Sequence, residues 1–107
     1  MTEHPHAQHW IGGTWVGSSS SRQSSIDPAT GAVIGTYDDG GADEARAAIE
    51  AATAAFGTSV WRYDAMMRSA ALGHLADAFE ARLDEVIDTL CLENGKLRYE
   101  AAFEAGF

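Results

Sequence analysis

"IDPATGAVIGTYDDGGADEARAAIEAATAAFG", residues 26–57, changes its hydrophobic period part-way along, and that change decides the fold class. Asp27 is placed to bond the backbone ahead of it, Pro28 fixes φ for a turn, and Gly31 supplies a left-handed exit. Ala32–Tyr37 then leaves as a strand, with Gly35 marking a bulge or a close backbone approach. Past the acidic pair Asp38-Asp39 the period becomes helical. Ala45, Ala48, Ile49, Ala52, Ala55 and Phe56 share one face, Asp43 and Glu44 occupy the first turn where the helix dipole favours acids, and Gly57 is expected to cap the end. A face built largely of alanine expects something packed close against it.

Upstream, "HWIGGTWVG" holds two short apolar runs, Trp10-Ile11 and Trp15-Val16, separated by Gly12-Gly13. Two glycines accept positive φ, so the pattern predicts a tight hairpin. Ser18–Ser25 lacks apolar side chains and reads as a surface loop. Residues 1–8 read as a disordered tail. Downstream, Asp64 is a plausible N-cap for a helix whose apolar face runs through Leu72, Leu75, Phe79 and Leu83. Asp84-Glu85 suits a fresh start, so a break is expected there, and Val86, Ile87 and Leu90 continue the face. Gly95 stops that helix and another opens near Leu97. The chain is therefore α+β: an N-terminal β-hairpin and short strands, then three or four helices.

The 107 residues carry 7 Lys+Arg against 16 Asp+Glu, a formal charge of -9 spread along the chain. Such a surface repels phosphate backbones and anionic lipids, which disfavours a nucleic-acid or membrane partner. No apolar run is long enough to span a bilayer, and "MTEHPHAQHW" lacks the character of a signal peptide. One cysteine forms no internal disulfide. A cytoplasmic protein is the expectation.

The candidate chemistry is sparse. Cys91 lies near a helix C-terminus between Leu90 and Leu92, the opposite of the cationic or helix-N-terminal setting that activates a thiolate, and suits a small core-facing hydrophobe. His4, His6 and His9 have metal-like spacing but fall at the tail, and His74 stands alone on a helix. The pairs Asp43-Glu44 and Asp84-Glu85 are explained by helix starts. "GTYDDGG" lacks the G-x-G-x-x-G spacing of a dinucleotide loop. No catalytic or cofactor-binding residue is assigned.

The succession "HWIGGTWV", "IDPATGAVIGTY", "ADEARAAIEAATAAF", Trp61 with Arg68 seven residues on, then "LENGK" and Glu100-Ala101 resembles the N-terminal segment of the NAD(P)-dependent aldehyde dehydrogenase superfamily. Among its branches the betaine-aldehyde-type and general aldehyde dehydrogenases are most similar. Asp27-Pro28 stands where the family usually has Asn-Pro, Leu97 where it has proline, and Met67 where an acid is common.

The resemblance implies an α/β parent fold in which residues 9–107 are the N-terminal part of the cofactor-binding domain. It implies oxidation of an aldehyde substrate to a carboxylic acid with NAD or NADP, in a homodimer or homotetramer when full length. It also places the nucleophile, base and nucleotide-binding elements beyond Phe107, so this segment alone is expected to be inactive. Some members hold K+ or Na+ through backbone carbonyls before the Asx-Pro turn and an acid before the Asn-Gly-Lys stretch. The matching positions are Ser25, Ile26 and Glu93, with Glu in place of a frequent Asp; a solvated acid at a helix end is the alternative for Glu93. A freestanding acidic α+β interaction module without catalysis is the rival reading of the whole chain.

Overall fold

The computed structural model describes residues 4–18 and 21–106. Five strands precede four helices: β1 (His6–Ala7), β2 (His9–Ile11), β3 (Thr14–Val16), β4 (Ser21–Ile26), β5 (Val33–Asp39), α1 (Ala42–Thr58), α2 (Ala65–Glu80), α3 (Leu83–Asn94) and α4 (Arg98–Ala105). A short 3-10 turn, Val60–Arg62, joins α1 to α2.

β2 and β3 form the expected hairpin, with Trp10 paired to Trp15 and their rings edge-on at 4.8 Å. Gly12 (φ 60°) and Gly13 (φ 82°) both take the left-handed region that the tight turn demands. The second sheet runs β1-β5-β4, with β5 central, parallel to β1 and antiparallel to β4.

Two expectations give way here. Within Ser18–Ser25, read as a loop, residues 21–25 belong to β4. This is an edge strand exposed at most positions, so main-chain pairing with β5 suffices and no apolar alternation is required. Residues 19 and 20 lie outside the described residues. Within the expected tail 1–8, His6–Ala7 pairs with Thr36–Tyr37, and the Pro5 carbonyl accepts from the Thr36 N–H at 2.9 Å. Residues 1–3 are likewise outside the described residues.

Gly35 satisfies both readings offered for it. Ser25 pairs with Gly35 but Ile26 with Val33, leaving Ile34 as the extra residue of a bulge. A Cβ at Gly35 would stand 3.3 Å from the Pro5 carbonyl oxygen.

The helices start where local chemistry says they should. Glu44 accepts from the Gly41 N–H at 2.8 Å, and Asp64 accepts from the Met67 N–H at 2.8 Å. Gly57 does not cap α1, which runs on to Thr58, whose hydroxyl bonds the Ala54 carbonyl. The break between α2 and α3 falls at Ala81-Arg82, and Gly95 (φ 66°) closes α3 in the left-handed conformation. Arg68 reaches back to the Trp61 carbonyl at 2.6 Å, which accounts for the seven-residue spacing of that pair.

The apolar core is small. Among the described residues the buried apolar side chains are Ile87 and Ala101, where α3 meets α4. The radius of gyration is 17.1 Å, against about 13 Å for a compact chain of this length. The accessible surface is 8161 Å², about 2,400 Å² more than scaling predicts for a compact globule of this mass. The helical stripe that should face a core, including Ile49, Phe56, Leu72, Leu75 and Phe79, is more than half exposed. The sequence's amphipathic faces are present, and among the described residues nothing covers them.

Candidate functional site

The Asp27-Pro28 turn and the end of α3 meet, although they lie far apart in sequence. Asp27 Oδ1 accepts from the Ala29 N–H at 2.8 Å and Oδ2 from the Thr30 hydroxyl at 2.7 Å. These bonds, the Thr30 hydroxyl foremost, hold the Asp27 carboxyl below its ordinary value of 3.8. The stiffened turn presents Pro28 to Gly95, where a Cβ would lie 3.2 Å from the proline Cγ. Only a glycine gives this closeness together with the positive φ.

That junction brings together two of the three residues singled out for a cation. The Ser25 hydroxyl donates to Glu93 Oε1 at 3.2 Å. Ser25 and Glu93 line a cavity of about 340 Å³ with Pro5, Thr36, Tyr37 and Leu92. Ile26, at the end of β4 beside the bulge, is exposed and is not among the lining residues. Both groups offer oxygens, the donor type that a hard monovalent cation takes, and here the Ser25 hydroxyl and the Glu93 carboxylate bond each other. Among the described residues no group of three or more His, Cys, Asp or Glu side chains could hold a metal ion.

The three N-terminal histidines do not converge. His6 sits between alternate residues of β5, with Nδ1 2.9 Å from Thr36 Oγ1 and Nε2 3.2 Å from Asp38 Oδ1. His9 packs against Gly40, and its Nε2 is buried without a hydrogen-bond partner.

Asp38 is the buried acid of the described chain, 8% exposed. It also accepts from the Ser18 N–H at 3.3 Å and faces Arg22 at 3.8 Å. Burial works to raise its pKa, but the Ser18 N–H, His6 and Arg22 outweigh it and hold the carboxyl below 3.8. Sequence reasoning missed this cluster. Thr36 and Asp38 are visibly on one strand face, yet the partner arrives through a parallel pairing to a segment read as tail.

Cys91 is half-buried on α3, and its carbonyl accepts the Gly95 N–H. The nearby cation, Arg98, is committed to Asp88 and Asp84. The geometry therefore provides a tied turn–helix junction and a buried carboxylate, and among the described residues it pairs no nucleophile with a base.

Compared with known proteins, residues 15–106 match the model of the aldehyde dehydrogenase family. The chain belongs to that family. It is 37% identical over 90 residues to 2-hydroxymuconic semialdehyde dehydrogenase of Pseudomonas sp. (strain CF600), covering 83% of this chain and 18% of that protein. It is 37% identical over 105 residues to phenylacetaldehyde dehydrogenase of Pseudomonas fluorescens, covering 95% and 21%. Among solved structures, it superposes on an NAD-dependent aldehyde dehydrogenase from Sinorhizobium meliloti with a TM-score of 0.90 and 32% identity, over 98% of this chain and 22% of that one. Betaine aldehyde dehydrogenase from Staphylococcus aureus, solved with NAD+, matches with a TM-score of 0.87 and 27% identity, over 92% and 20%.

The chain thus spans about a fifth of the length of these relatives. The aldehyde dehydrogenase likeness accounts for the uncovered helix faces: the same backbone conformation occurs inside much larger folds.

Proposed function

We propose that this chain is the N-terminal segment of an NAD(P)-dependent aldehyde dehydrogenase and serves as a structural flank of its cofactor-binding domain. The complete fold oxidises an aldehyde to a carboxylic acid. The observation that carries this reading is the superposition of nearly the whole chain on about a fifth of an NAD-dependent aldehyde dehydrogenase, with its apolar helix faces left bare.

The segment's own contribution is to position. The Ser25–Glu93 tie fixes β4 against α3, and in the complete enzyme the Ser25 and Ile26 carbonyls and the Glu93 carboxylate contribute to a monovalent cation site whose other ligands come from elsewhere in the fold. The names of the relatives favour NAD as cofactor, and an acidic surface suits a soluble cytoplasmic homo-oligomer.

The test is a pair of measurements. The 107-residue chain, incubated with NAD+ or NADP+ and a panel of aldehydes, is expected to form no reduced nicotinamide. A chimera carrying this chain in place of the matching segment of Pseudomonas fluorescens phenylacetaldehyde dehydrogenase is expected to retain NAD+-dependent oxidation. Turnover by the short chain, or a folded but inactive chimera, overturns the proposal.

A further inference from the structure

Asn94 and Gly95 form the closing step of α3, and the same two residues are a chemically reactive pair. In an Asn-Gly sequence the glycine has no side chain to obstruct attack by its backbone nitrogen on the asparagine amide carbon. Gly95 N bonds to Asn94 Cγ, the Cγ–Nδ2 bond breaks, and the proton from Gly95 N leaves with ammonia. Water then opens the resulting succinimide to aspartate or isoaspartate.

The fold opposes each requirement of that reaction. Gly95 N–H is engaged with the Cys91 carbonyl at 2.9 Å, so the nucleophile is occupied. Asn94 is the last residue of α3, held in helical conformation, and its Nδ2 donates to the Leu90 carbonyl at 3.4 Å. Pro28 stands against Gly95 so closely that an added Cβ would meet its Cγ at 3.2 Å. Reaction therefore needs the last turn of α3 to open, breaking both bonds and parting Gly95 from the Pro28 turn.

We propose that Asn94–Gly95 is a latent modification site, shut by the α3 cap and the Pro28 turn, at which Asn94 converts to aspartate or isoaspartate whenever the end of α3 opens. The products do not fit the closed state. A carboxylate at 94 adds negative charge beside Glu93 at the helix end whose dipole disfavours anions. Isoaspartate inserts a methylene into the main chain at the cap. Either one loosens the Ser25–Glu93 tie, so the conversion records past openings and favours new ones.

Asn94 is the chain's only asparagine, so intact mass reports the exchange of its amide for an acid. The chain is held in mildly alkaline buffer at physiological temperature, with and without denaturing urea. Conversion is expected at least about tenfold more slowly in native buffer, the ratio following the local opening equilibrium. Pro28→Ala should narrow that ratio several-fold while leaving the rate in urea unchanged. Gly95→Ala should slow conversion in urea, where folding plays no part. Equal rates in native buffer and urea, a ratio unmoved by Pro28→Ala, or undiminished conversion of Gly95→Ala in urea each overturn the proposal.

Discussion

Two isoleucines on different helices offer a direct measure of how little of this chain is core. Ile87 on α3 is 5% exposed and Ile49 on α1 is 67% exposed. Truncating a buried isoleucine to alanine removes its transfer free energy and leaves a cavity, about 2–5 kcal/mol together. At Ile49 most of the side chain is already in water, so the lost burial is small. Alanine's higher helix propensity offsets it, and the net change should stay within about 0.5 kcal/mol. With a denaturant slope of about 1–3 kcal/mol/M, Ile87→Ala should lower the urea midpoint by at least about 0.7 M, or leave the chain unfolded before urea is added. Ile49→Ala should leave the midpoint nearly in place. The assay is urea titration of the 107-residue chain followed by helical circular dichroism. Equal shifts for the two variants would refute the inference that the α3–α4 contact is the core and that the α1 face awaits a partner.

The buried carboxylate gives a pH prediction. The folded pKa of Asp38 lies below its ordinary 3.8, so its contribution is present above that value and is lost as pH falls through the depressed one. Asp38→Asn should therefore flatten the acid-side loss of structure below about pH 4 in a circular-dichroism titration; an unchanged acid limb would count against the cluster. Arg68→Lys, which gives up the planar donor that reaches the Trp61 carbonyl, should cost about 0.5–1.5 kcal/mol in the same urea assay. A neutral result would mean that the α1–α2 corner is held by other contacts.

The legible parts of the fold were those set by local chemistry. Gly12-Gly13 permitted only a tight hairpin, Asp64 could satisfy an open N–H at a helix start, and Gly95 could adopt the positive φ that stops α3. Where the residues named for a cation lie was legible in part. Ser25 and Glu93 do meet, because the rigid Asp27 turn docks on the α3 cap, while Ile26 stays outside their cavity. The missed elements were β1 and β4. Neither has an apolar alternation to read, since both are held by main-chain pairing with β5 and by polar contacts to residues distant in sequence. Gly57 misled because a glycine can cap a helix but need not end one whose neighbouring backbone bonds continue.

What the sequence determined by itself was the hairpin, the β5 strand, the succession of helices with their amphipathic faces, and the family, since turns, caps and periodicity act over a few residues. What only the tertiary structure decided was which groups meet: His6 with Asp38, Ser25 with Glu93, Pro28 with Gly95. Those meetings depend on strand pairing and helix docking between remote segments. The same structure shows apolar faces that find no partner among the described residues, because burying an apolar stripe requires a second surface and the described residues supply a buried contact where α3 meets α4.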